Sequence, residues 1–282
     1  MNTSIIEDRL KKYGAISTET EITAIREITQ ELILFALSTS DFFSHAAFQG
    51  GTCLRIVHGL SRFSEDMDFI LKTRDTTFSW QQYLTLIGTT LEQYGYSVEL
   101  QDKSNADEAV KKVFIKDDSI GRVLRLEYAN RQGTPRKIRI KLEIDSNPAG
   151  NGEFESAFIG FPAPSSITVE TLPTLFAGKS HALLCRKYEK GRDWYDFLWY
   201  LGNKTPVNYR RLSAALDQTG PWKGQSISVD RAWYIDEMKR RIGEIDWKRA
   251  TDDVTPFIPP QEQGLLLQWS ADFFLSALTR LP

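Results

Sequence analysis

Phe48-Gln49-Gly50-Gly51-Thr52, followed after a short apolar segment by Ser64-Glu65-Asp66-Met67-Asp68-Phe69-Ile70-Leu71, sets the frame for the whole chain. Gly50 and Gly51 can take backbone conformations closed to other residues and leave their N–H groups open to an anion. Thr52 would open the following helix, whose N-terminal dipole also favours phosphate. Residues 67–71 are compact, apolar and rich in aromatic and branched side chains, which predicts a strand. In that strand Asp66 and Asp68 put both carboxylates on one side, while Met67 and Phe69 bury the other. Two like charges so close are costly unless something positive sits between them. A divalent cation, Mg²⁺ (or Mn²⁺), is the natural partner, because Mg²⁺ takes carboxylate oxygens together with substrate phosphates and water. A lone Gly-Gly is usually only a turn, and a lone Asp-x-Asp is usually a surface strand end. Their order and spacing in one frame point to a nucleoside triphosphate (NTP) and its metal ions.

A two-metal site needs a third acid on a neighbouring strand; one ion would activate the attacking hydroxyl and the other steady the leaving pyrophosphate. Residues 137–145 carry the clearest strand pattern in the chain. Ile138, Ile140, Leu142 and Ile144 point one way, and Arg139, Lys141, Glu143 and Asp145 the other. Glu143 is the first choice for the third acid and Asp145, on the same face, the second. Arg55 and Arg62 flank the site; arginines so placed more often pair with acids than with phosphate.

Around this centre the chain alternates helix and strand signals. Over 21–37, Ile22, Ile25, Ile28, Leu32 and Phe35 recur at three and four, the mark of an amphipathic helix. A short helix over 52–58 would turn Leu54 and Val57 inward and stop at Gly59, and a longer one over 80–94 would end at Gly95. Tyr96, Val98 and Leu100 alternate as a strand, with weaker strands expected over 113–115 and at Leu124, Leu126 and Tyr128, before the turn-rich 130–135. A loop over 147–152 and a Pro-rich boundary over 161–166 precede helical patterns over 173–187, 193–201, 209–216, 229–245 and 265–281. The expected class is α+β, with a first domain over 1–165 and a helical C-terminal domain over 166–282.

Hydrophobic residues at 41% and charged ones at 26% of 282 exclude a disordered or fibrous chain. A net charge of −2 does not suggest a coat for nucleic acid, but only a contact surface has to be basic. The apolar runs over 32–37 and 69–71 are too short to cross a bilayer, and the first residues lack the apolar region of a secretory signal, so a cytoplasmic protein is expected. Cys53 and Cys185 read as buried thiols, and the scattered His45, His58 and His181 as packing or surface residues.

The segment over 48–69, FQGGTCLRIVHGLSRFSEDMDF, resembles the nucleotidyltransferase motif of the AbiEii/AbiGii abortive-infection toxins, members of the DNA polymerase β-like superfamily. Gly-Gly-Thr followed by Arg-Phe-Ser-Glu-Asp-x-Asp-Phe is specific to that group, and the likeness runs from the helix at Glu21 to about Tyr200. It implies a polymerase β-like mixed sheet with flanking helices. Further on, Lys179-Ser180-His181-Ala182-Leu183-Leu184 and Arg192-Asp193-Trp194-Tyr195-Asp196 are similar to the family's later motifs, a helical lysine and an Arg-Asp-x-x-Asp helix. By that resemblance Lys179 would bind the triphosphate, and Asp193 would be an essential polar residue beside it. The residues agree in kind, since lysine supplies a mobile point charge for a phosphate. Asp193 and Asp196 share a helix face, and for Asp196 a solvated pair with Arg192 stands nearly level with a functional role. Together with Gly50, Gly51, Asp66, Asp68 and Glu143, these residues would form one face of a cleft. The motif leaves open whether Glu143 or Asp145 is the third acid. Its glycines also stand further from Asp66 than in many superfamily members.

The resemblance implies the toxin of a bacterial toxin–antitoxin pair, with a cognate antitoxin encoded nearby. Such an enzyme moves a nucleotidyl group from an NTP to an acceptor and so arrests growth. Relatives make the 3′ end of tRNA the leading acceptor, with blocked translation as the consequence. Basic residues for RNA would come from Arg136, Lys137, Arg139 and Lys141, then Arg186, Lys187, Lys190 and Arg192. The alternatives are transfer to a protein or a small molecule, or a non-catalytic protein that binds nucleotide or partners the antitoxin. The intact Asp66 and Asp68 argue against the last.

Overall fold

The computed structural model describes residues 3–104, 109–117 and 138–282. The strand expected at Leu124, Leu126 and Tyr128, the turns over 130–135, and the basic Arg136 and Lys137 lie outside the described residues. The chain falls into two compact units. The first comprises Met1–His58, Ser64–Pro148 and Ser156–Val169, and the second Gly59–Phe63, Ala149–Glu155 and Glu170–Pro282.

The first unit opens with helices α1 (Thr3–Lys11) and α2 (Thr18–Ser38). Ser17 starts α2 through a capping box, exchanging side-chain to backbone hydrogen bonds with Thr20. Ile25, Ile28 and Leu32 are buried on α2, as their spacing requires. There follow α3 (Phe42–His45), β1 (Ala46–Gln49), α4 (Gly50–His58), β2 (Met67–Leu71), α5 (Gln81–Gln93), β3 (Val98–Asp102), β4 (Val110–Asp117) and β5 (Ile138–Asp145). Strands β6 (Phe154–Ile159) and β7 (Ser165–Glu170) complete a seven-stranded sheet of order β3-β4-β5-β2-β1-β7-β6. The sheet is mixed: β2 runs antiparallel to β1 and parallel to β5, while β7 runs parallel to β1. Phe42 centres the aromatic core, edge-on to Phe69 at 5.1 Å and stacked on Trp80 at 5.6 Å. Such pairs add about 0.5–1.5 kcal/mol each beyond the burial of their area.

Three details depart from the expectations. The helix after β1 begins at Gly50, not Thr52. Strand β4 is longer than 113–115, its apolar alternation masked by Lys111, Lys112 and Lys116. The Pro-rich stretch lies between β6 and β7, two neighbouring strands that the sequence reading did not anticipate.

The second unit is helical: α6 (Leu172–Cys185), α7 (Gly191–Gly202), α8 (Tyr209–Gln218), α9 (Arg231–Glu244), α10 (Trp247–Val254), two 3₁₀ segments (Thr255–Phe257 and Pro260–Gln268) and α11 (Ala271–Leu278). Asn208, Asp230, Asp246 and Ser270 cap α8 to α11 with side-chain oxygens that accept backbone N–H groups. The single helix expected over 265–281 is therefore divided, with Ser270 starting its second part. Trp194, Trp247 and Phe274 form the core of this unit, with Trp247 stacked on Phe274 at 4.1 Å. A Cβ on Gly191 would lie 2.7 Å from the backbone carbonyl carbon of Ala250, so only glycine lets α7 begin against α10.

Candidate active site

The glycine turn and the acids meet directly. Gly50 has φ +78°, a conformation that L side chains rarely adopt, and a Cβ there would sit 2.9 Å from Asp68 Cβ. The Thr52 hydroxyl donates to the backbone carbonyl of Asp66, which immediately precedes β2. Gly51 is the second residue of the same helix. The close approach of α4 to β2 thus depends on glycine at one position and a hydroxyl two residues later.

Register explains why these acids share a face. Gln49 on β1 pairs with Asp68, Asp68 with Glu143 on β5, and Glu143 with Lys112 on β4. Partners across neighbouring strands point to the same side of a sheet, so Asp68 and Glu143 stand next to each other. Asp145 lies on that side too, but its row partners are Ile70 and Val110, and its Oδ1 accepts the N–H of Asn147 at 2.9 Å.

Lys141 supplies the positive charge between the acids. Its Nζ lies 2.6 Å from Glu143 Oε2 and 3.9 Å from Asp66 Oδ2, and Lys112 Nζ lies 3.9 Å from Glu143 Oε1. Burial disfavours the Lys141 ammonium, but Glu143, Asp66 and Asp68 outweigh it and raise its pKa. The Asp66 side chain is 48% exposed and that of Glu143 21%, so the group is open to a ligand. Carboxylate oxygens of Asp66, Asp68 and Glu143 are the donors a hard cation selects. Among the described residues, however, no three acidic, histidine or cysteine side chains converge as a ligand set. The donor chemistry of these carboxylates fits a divalent cation.

In the helical unit, Lys179 and Asp193 are brought together, but inside a closed network. Lys179 Nζ lies 2.6 Å from Asp193 Oδ1 and 2.8 Å from Asp196 Oδ2. Arg62 donates two hydrogen bonds of 2.6 Å to the fully buried Asp196 carboxylate, and Arg186 donates to the other oxygen of Asp193. Burial opposes ionisation of Asp193, yet Lys179, Arg186 and Lys190 hold its pKa below the usual carboxylate range. For Lys179, the penalty of burial is outweighed by Asp193 and Asp196, and its pKa is raised.

The pair expected between Arg192 and Asp196 does not form. Arg192 reaches Asp253 instead, and Asp196 takes Arg62, 134 residues earlier in sequence. Arg55, like Arg62, pairs with an acid, its Nε lying 2.9 Å from Glu27. Cys53 is buried, and burial pushes the Cys185 thiol up to about 11. Two residues that the sequence reading gave to an RNA surface, Lys141 and Arg186, are ion-pair partners of the candidate acids. Their position beside acids in the folded chain has no local signal in the sequence.

The fold has parallels among solved structures. The crystal structure of JHP933 from Helicobacter pylori matches with a TM-score of 0.51 at 15% identity, over 92% of this chain and 94% of that one. A second Helicobacter pylori structure, provisionally described as a nucleotidyltransferase, matches with the same score and identity over 91% and 96%. At such identity the likeness shows the fold alone, which is α+β. The model of the AbiEii nucleotidyl transferase toxins of type IV toxin–antitoxin systems matches residues 32–277, and the chain belongs to that family. Membership implies a cognate antitoxin. No curated protein matches the chain significantly. No helix among the described residues is long and apolar enough to cross a membrane.

Proposed function

We propose that this toxin transfers a nucleotidyl group from an NTP to an acceptor hydroxyl, with the 3′ end of tRNA as the acceptor and blocked translation as the result. The acceptor oxygen attacks the α-phosphorus, the bond to the bridging oxygen breaks, pyrophosphate leaves, and the hydroxyl proton passes to solvent. The observation that carries the reading is the row in which Asp68 stands in register with Glu143, with Gly50 packed on Asp68.

In this reading Asp66, Asp68 and Glu143 would hold Mg²⁺, or Mn²⁺ in its place, which would supply positive charge against the phosphates and the leaving pyrophosphate. Gly50, Gly51 and Thr52, at the start of α4, favour the phosphates through backbone N–H groups and the helix dipole. Lys141 lies beside Glu143 and Asp66 before the ligand arrives. Lys179 contributes a phosphate contact, for which it would have to exchange part of its bonding with Asp193 and Asp196. The RNA acceptor rests on the family relationship.

Incubation with each α-labelled NTP, divalent cation and total cell RNA or protein tests this directly. Label in the tRNA fraction is expected, lost in Asp68→Ala. Label in a protein band or a small molecule would replace the acceptor, and no label at all would contradict transfer.

A further inference from the structure

In the helical unit, Arg186, Tyr188, Lys190, Asp193, Trp194 and Arg241 line a shallow, open depression. It is too small to enclose a drug-sized ligand and suits a single anionic group whose remainder stays outside.

Its charge is unbalanced. Arg186, Lys190 and Arg241 line it beside one carboxylate, Asp193, to which Arg186 is tied. Among the described residues no hydrogen bond or ion pair holds the Lys190 ammonium. Burial pushes its pKa down; Asp193 pulls the other way, and Arg186, Lys179 and Arg192 add to the depression. An anion beside Lys190 would relieve that repulsion. Arg241 fixes the rim, donating to the carbonyls of Leu183 and Arg186 at 3.1 and 2.7 Å. Tyr188 is 55% exposed, and the Arg186 guanidinium lies 5.7 Å from its ring centroid. A cation beside an exposed aromatic ring is what single-stranded nucleic acid needs, charge for the phosphate and a face for a base.

We propose that this depression binds one backbone phosphate of the acceptor RNA through Lys190 and Arg186, with an adjacent base stacked on Tyr188. The site rests on the reading that the acceptor is RNA. Its size argues against the whole triphosphate of the NTP.

Fluorescence anisotropy of a short labelled single-stranded RNA, over a salt series and beside a parallel measurement of NTP binding, tests it. Lys190→Gln is expected to weaken RNA binding about tenfold and to reduce the salt slope by about one. Tyr188→Ala is expected to weaken it at least about fivefold with the slope unchanged, and neither variant should change NTP binding. Among the described residues Lys190→Gln breaks no hydrogen bond or ion pair of the ammonium, and Tyr188 is exposed, so both variants should fold. RNA affinity and slope equal to the unmutated protein in both variants would overturn the site, as would a loss confined to NTP binding. Unmutated protein that binds no RNA while labelling a protein or small molecule would remove the RNA reading along with it.

Discussion

Two acid groups in this chain use the same chemistry to opposite ends. On the sheet, Asp66, Asp68 and Glu143 are partly exposed, and Lys141 lies 2.6 Å from Glu143 and 3.9 Å from Asp66. In the helical unit, Asp193 and Asp196 are buried, and Arg62, Lys179 and Arg186 close on them. Exposed pairs contribute about 0–1 kcal/mol, whereas removing one member of a buried pair costs about 3–5 kcal/mol. The loosely paired group is the one a ligand can enter, and the tightly paired one holds its unit together. Substitutions in the first should therefore act on transfer, and in the second on stability as well.

The largest expected effect is at Asp68. Asp68→Asn should lower transfer by on the order of 10³, about 4 kcal/mol of barrier, with little change in melting temperature. Glu143→Gln should follow it closely and Asp145→Asn should not, since Asp145 pairs in register with Ile70. Equal losses in both would erase the distinction between the rows.

Next comes Asp196→Ala, which leaves Arg62 buried without its carboxylate. A loss of about 3–5 kcal/mol in urea unfolding is expected; a loss below about 1 kcal/mol would mean that the network is not structural. Gly50→Ala should combine both kinds of effect, because the added Cβ meets Asp68 and the positive φ costs about 1 kcal/mol or more. Thermal unfolding and transfer rate, measured together, would show a small drop in the first and a large one in the second.

The pH dependence separates the groups further. The pKa of Asp193 is depressed from 3.8, so its contribution to stability is present above that value and is lost as pH falls through the folded-state pKa. The pKa of Lys179 is raised from 10.5, so its contribution is present below that value and is lost as pH rises through the folded-state pKa. The contribution of this pair of groups should be flat between these limits and fall outside them. Asp193→Asn should flatten the acid limb in a melting series.

The smallest effect is at Lys141. Its partners are part-exposed, so Lys141→Met should shift the Mg²⁺ concentration for half-maximal transfer by no more than about fivefold, an energy of about 1 kcal/mol. A larger shift would mean that Lys141 holds the acids as firmly as Arg62 holds Asp196.

What could be read from the sequence followed the range of the interactions. The limits of β2 were legible from one compact apolar run, and the alternation of β5 from a strict period of two, because both signals are local. Strands β6 and β7 were not, since Phe154–Ile159 leaves Phe158 exposed and carries no clean buried face. Helix α10 was missed because eight residues give few repeats of the helical period, and the 3₁₀ run Pro260–Gln268 because Pro259 and Pro260 open it. At the candidate site, the Asp66 and Asp68 spacing was visible in a few residues. The sequence reading put Glu143 ahead of Asp145, but that Glu143 stands in register with Asp68 rests on pairing between strands far apart in sequence. The Arg62 partner of Asp196 could not have been named without the fold.

The most direct test of the contrast is a paired measurement on Asp68→Asn and Asp196→Asn: transfer from α-labelled NTP beside the free energy of urea unfolding. The prediction is that Asp68→Asn keeps stability within about 0.5 kcal/mol and loses transfer by orders of magnitude, while Asp196→Asn loses several kcal/mol of stability. Transfer at the unmutated rate in a folded Asp68→Asn protein would contradict it.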